Sequence, residues 1–163
     1  MDLVLDPPRG VAPLRIGMTL DEALAAVAGW AEPKVFRRED AVTVSTSCGG
    51  VGVEVLLEDG RRVTAVELWA PGGGRRSDVR VLLDGDDVFT TPAERILARA
   101  RERGRRIRAD EPGHPLVPGV SLGFTRETSQ DVPRDPSGSP IHFNAVLVAA
   151  EDYYDFLDFP EAD

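Results

Sequence analysis

Cys48, in the run Ser45-Thr46-Ser47-Cys48-Gly49-Gly50, is the single thiol of the chain. With His114 or His142 as base and Asn144 as orienter it would make a cysteine nucleophile. Such a thiol must sit beside a cation or base to ionise near neutral pH, and no sequence neighbour supplies one. The pattern therefore favours a turn or edge cysteine, and a small cysteine-dependent enzyme using Cys48 with His114 or His142 stands as the alternative reading. His142 alternates with Ile141 and Phe143 and is expected to point outward with Asn144, while His114, between Gly113 and Pro115, reads as a turn residue. Two histidines and one cysteine at these separations match no zinc spacing, and the acids follow no calcium loop. No catalytic residue, metal or cofactor is assigned.

Other chemical constellations resolve into structural ones. Gly72-Gly73-Gly74-Arg75-Arg76-Ser77 has the glycines of a phosphate cradle, but it lacks the Lys-Ser/Thr ending and leads into a strand, so it reads as a loop. Glu54 and Glu67 could face each other on neighbouring strands, yet a half-solvated sheet face carries such acids routinely. The Arg99–Arg108 run holds six arginines and one glutamate. Without interleaved aromatics it offers no stacking platform for bases, so weak nucleic-acid binding is a further alternative only. Asp152-Tyr153-Tyr154-Asp155-Phe156-Leu157-Asp158-Phe159 packs four of the ten aromatics among acids. Exposed, it would dock a basic partner; folded back, Tyr153, Phe156 and Leu157 would cover the sheet. Electrostatic coupling between this tail and the arginine cluster is expected either way.

The elements that must position these residues are legible in part. Thr19-Leu20-Asp21-Glu22 is a capping box, and Leu20, Leu24, Val27 and Ala31 continue it at helical spacing, with Gly29 and Pro33 as the stop. A helix is predicted over about 20–29. The period then becomes two: Val42, Val44, Thr46, then Val51, Val53, Val55, Leu57, then Val63 to Trp69, with Asp59-Gly60 as a type I′ hairpin signal and Val79, Val81, Leu83 as a fourth strand. Thr91-Pro92-Ala93-Glu94 repeats the capping box with proline at the first helical position. Ile96, Leu97 and Ala100 form its buried stripe, and Gly104 is placed for a left-handed C-cap. Strands follow around Val120–Phe124 and Ile141–Ala149, with a loop over Gln130–Pro140.

The chain of 163 residues carries 19 basic and 28 acidic side chains, a net charge of −9, and 18 of its 19 basic residues are arginine. That balance disfavours coating nucleic acid or an anionic membrane, and the arginine bias fits a high-G+C bacterial genome. One cysteine excludes an intrachain disulfide, the first residues lack the charge pattern of an export signal, and the longest apolar stretch, Ala23 to Ala31, is too short to cross a bilayer. A cytoplasmic setting and no membrane contact are expected.

Ile16-Gly17-Met18-Thr19, with Glu22 and an Ala/Leu/Val helix after it, resembles the helix start of the beta-lactamase inhibitor protein fold and of the SmpA/OmlA-type assembly lipoproteins. The pattern is also similar to that of small actinobacterial proteins. The resemblance implies two helix-plus-strands repeats sharing one curved antiparallel sheet, and a tendency to bind proteins on that sheet.

The expectation is thus an α+β fold in a single domain over 1–163, with a first helix-strands repeat at 1–84, a second at 85–150 and an acidic aromatic tail at 151–163. Its expected function is non-catalytic protein binding, as an inhibitor or immunity-like protein for a basic partner, with Trp69, Tyr153, Tyr154, Phe156 and Phe159 as contact residues.

Overall fold

Valine at every second position builds the centre of this fold, because alternate side chains of a strand point to opposite faces and one face here is wholly apolar. The computed structural model describes residues 1–72, 75–111 and 113–154. Their elements run β1 (Asp2–Asp6), β2 (Gly10–Val11), β3 (Leu14–Arg15), α1 (Leu20–Ala26), β4 (Lys34–Arg38), β5 (Ala41–Cys48), β6 (Val51–Leu57), β7 (Ala65–Trp69), β8 (Arg80–Leu83), β9 (Asp86–Asp87), α2 (Ala93–Glu102), β10 (Leu116–Val117), β11 (Leu122–Thr125) and β12 (Ala145–Ala149). Pro118–Val120 forms a single 3-10 turn. The class is α+β, mostly strand, with two helices and two open sheets among the described residues.

The larger sheet has the order β10-β11-β12-β7-β6-β5-β4 and is antiparallel throughout. The smaller has the order β3-β2-β1-β8-β9, with β1 and β8 parallel. Val42, Val44, Val53, Val55, Val66, Leu68, Val146 and Val148 on the inner face of the large sheet join Leu3, Val11 and Val81 of the small one, Ala23 and Val27 at α1, and Ile96 and Leu97 of α2 in one buried cluster. Burying each such aliphatic side chain is worth about 1.5–3 kcal/mol.

Both helices form where expected, but their ends differ from the sequence reading. The Thr19 hydroxyl accepts from the Glu22 amide at 3.2 Å and gives its own proton to the Glu22 carboxylate at 3.1 Å, so the carboxylate meets the hydroxyl where the Thr19 amide was expected. Helix α1 closes at Val27, short of Gly29, because the Trp30 amide folds back onto the Val27 carbonyl. Thr91 does not cap α2: Pro92 occupies the cap position without a side-chain acceptor. The Ala93 amide goes to the Ile141 carbonyl, and Glu94 pairs with Arg126 at 2.7 Å. The other end is as read, since Gly104 (φ +78°) donates to Arg101 O and Arg105 to Ala100 O, the crossed pair of bonds that ends a helix on a left-handed residue.

The hairpins also move. A type I′ turn needs positive φ at both central residues, and Asp59 is not among the residues with positive φ. Asp59-Gly60 instead opens the longer 58–64 connection, the Asp59 carboxylate accepting from the Arg61 and Arg62 amides at 2.8 and 3.0 Å. The two-residue turns with both φ positive are Gly49-Gly50, between β5 and β6, and Asp84-Gly85, between β8 and β9. The strand expected to extend the meander after Trp69 leaves it: β8 pairs with β1 in the smaller sheet. The last strand begins at Ala145, four residues after Ile141.

Candidate functional site: the outer face of the large sheet

One register line crosses the whole outer face: Leu116, Gly123, Leu147, Glu67, Glu54, Ser45 and Lys34 are successive Cα partners on seven strands. Flanking lines run Ala149, Ala65, Leu56, Thr43, Phe36 on one side and Ala145, Trp69, Gly52, Ser47 on the other. The intervening positions of β6, β7, β11 and β12 are buried, so this face holds what the centre of the sheet presents outward.

Glu54 and Glu67 stand directly opposite each other at its centre. Side chains so placed have Cβ atoms roughly 4.5–5.5 Å apart, and like charges there repel. Burial holds the Glu67 carboxyl above the usual carboxylate range, the Glu54 charge pushes it further up, and a hydrogen bond from the Trp69 indole opposes both. Lys34, the cation of the same line, lies two strands beyond Glu54. Trp69 is 37% exposed and Phe36 56% exposed, one to either side of the glutamate pair. Among the described residues strand β4 pairs only with β5, and it is exposed along its whole length. Its Lys34, Arg37 and Arg38 are the kind of charge that keeps a free edge from pairing with other chains.

Tyr153 and Tyr154 lie over the other end of this face. The Tyr153 hydroxyl donates to Glu58 at 2.8 Å, and a Cβ on Gly123 would lie 2.5 Å from the Tyr154 hydroxyl. The two rings meet edge to face at 5.2 Å. Burial raises both phenols, Tyr154 to about 12, with the Glu67 charge acting on it as well. Of the expected contact residues, Trp69 is available at the surface, Tyr153 and Tyr154 pack on their own sheet, and Phe156 and Phe159 lie outside the described residues.

The remaining candidates separate. Cys48 is 5% exposed, and burial pushes its thiol up, the reverse of what activates a nucleophile. His114 lies 3.9 Å from Glu127, and His142 precedes β12 on the wall of a cleft beside Trp69. Arg99 pairs with Asp86, and Arg103 and Arg105 with Asp84. These acids of the β8–β9 hairpin, with Asp110 for Arg108, are partners of the cluster among the described residues, and the tail's acids beyond Asp152 lie outside them. Asp84 could have been suspected from the Asp-Gly signal, and Glu54 with Glu67 from alternation. Phe36 escaped notice because β4 has no apolar alternation to mark it.

Among the described residues no three His, Cys, Asp or Glu side chains gather as a metal site, and no helix is long and apolar enough to cross a membrane. Comparison with protein-family models, curated proteins and solved structures found no match.

Proposed function

We propose that the chain is a non-catalytic protein-binding domain whose outer sheet face receives a basic segment of a partner protein. The observation that carries this is the cross-strand Glu54–Glu67 pair between two exposed aromatics. Repulsion within the pair is relieved by an arginine or lysine placed between them, and the Trp69 and Phe36 surfaces supply the apolar anchors that dominate interface energetics. The net charge of −9 adds long-range attraction for the same kind of partner. The resemblance at Ile16–Thr19 favours protein binding on the sheet, and an inhibitor or immunity-like role, in the cytoplasmic setting expected from the single cysteine, is the form proposed.

The tandem reading belongs to the same proposal. Helix α1 is followed by the β4–β7 meander and α2 by β10–β12, and the two groups meet at the β7–β12 ladder. A shared sheet assembled from two helix-strands units would present one continuous outer face to a partner.

The test is affinity capture with the purified chain at low and high salt, repeated with the Glu54→Gln/Glu67→Gln and Trp69→Ala variants. A basic protein retained by the wild type, released by salt and lost by both variants supports the reading. Equal retention by all three overturns it.

A further inference from the structure

A cleft of about 760 Å³ opens beyond Trp69, where the end of β7, the start of β8, the turn after β9 and the 128–144 loop converge. Small-molecule sites typically enclose roughly 300–1,000 Å³, with mostly apolar walls and a few polar groups that orient the ligand. Trp69, Val79 and Phe89 provide the apolar wall.

Its charge runs against that of the molecule. Arg75, Arg76 and Arg80 line the cleft, against the single carboxylate of Asp87. Arg80 is already held by both oxygens of Asp2, at 2.9 and 2.8 Å. Asp87 accepts the Phe89 amide at 3.1 Å. Arg75 and Arg76 have no carboxylate partner among the described residues, so two positive charges remain for something that enters. Asn144 and His142, from the segment before β12, complete the lining.

We propose that this cleft binds a small aryl carboxylate. The carboxylate is taken by Arg75 and Arg76, whose guanidinium groups suit its two oxygens. The ring lies against Trp69 and Phe89. The site shares Trp69 with the Glu54–Glu67 face, but its two arginines lie outside that face, so the Arg75→Gln/Arg76→Gln variant tests the cleft alone.

The experiment is a titration of the full chain with 4-hydroxybenzoate, followed by the nitrogen–proton signals of the Trp69 indole and the Asn144 side-chain amide, with the Trp30 indole as internal reference. Saturable shifts of Trp69 and Asn144, but not of Trp30, are expected with a dissociation constant of about 1 mM, in the range open to so small a ligand. The uncharged 4-hydroxybenzamide, which lacks the carboxylate, should not saturate. Arg75→Gln/Arg76→Gln should weaken 4-hydroxybenzoate by roughly tenfold, about 1.4 kcal/mol. Absence of saturation by about 10 mM, equal binding of the uncharged amide, or an unaffected double variant would each overturn the assignment.

Discussion

The hydroxyl of Tyr153 reaches the Glu58 carboxylate across 95 residues of sequence, at 2.8 Å. This bond fastens the chain after β12 to the far end of β6, while Tyr154 closes over Gly123. Tyr153→Phe removes one hydrogen bond at the surface and should cost about 0.5–1.5 kcal/mol. Tyr154→Ala strips a ring that is only 9% exposed and should cost about 3 kcal/mol. Urea denaturation of the two variants checks the order; equal effects would mean that the rings are not packed as described.

The two helix starts make opposite predictions. Thr19→Ala deletes the acceptor of the Glu22 amide and should destabilise by about 0.5–2 kcal/mol. Thr91 makes no cap bond to α2, so Thr91→Ala should fall within about 0.5 kcal/mol of the wild type. Thermal melts of both proteins distinguish a capped from an uncapped start.

Glu67 contributes a pH dependence of defined sign. Its folded-state pKa is raised, by burial first and by Glu54 second, so in the window above its ordinary value the folded state holds a proton that the unfolded state has released. That contribution to stability is present in acid and lost as pH rises through the folded value. Glu67→Gln should therefore gain in melting temperature over the wild type at pH 7, and the gain should vanish near pH 4. Asp2, Asp59, Asp110 and Asp135 are shifted downward and act in the reverse direction in both proteins, so the difference between the two melts isolates Glu67.

Cys48 should react slowly. Its thiol is buried and its ionisation suppressed, so labelling by a chromogenic disulfide reagent should be far slower in buffer than in denaturant. Equal rates in the two media would show that the thiol is open to solvent and would revive a chemical role for it.

The alternating valines of β5 and β6 and the caps at Thr19 and Gly104 were legible because each is a local pattern with a local cause. The smaller sheet was not. Strands β2, β3 and β9 are two residues long, too short for any period, and the first half of β1 finds its partner only in the distant β8. Asp59-Gly60 and Asp84-Gly85 are the same dipeptide, and only the second forms the tight hairpin; what separates them is the strand pairing on either side. At the candidate site, Trp69 could be singled out as an aromatic at a strand end. The Glu54–Glu67 pair was visible as a possibility, and register settled that the two face each other. Phe36 and the cleft behind Trp69 depend on which loops converge, and no spacing rule reports that.

The parallel β1–β8 pair and the β7–β12 ladder also set an order of events during synthesis. Asp2 and Arg80 are 78 residues apart, and β7 finds its second neighbour only when Ala145–Ala149 has been made. A growing chain can close the β1–β3 turns and the β4–β7 meander early, but it must leave one edge of β1 open until β8 is made and one edge of β7 open until Ala145–Ala149 emerges. Contacts of such separation make folding slow, and an unpaired edge beside a valine-rich face invites association between chains. A ribosomal product halted before residue 145 would therefore be expected to aggregate, rather than to accumulate as a folded half.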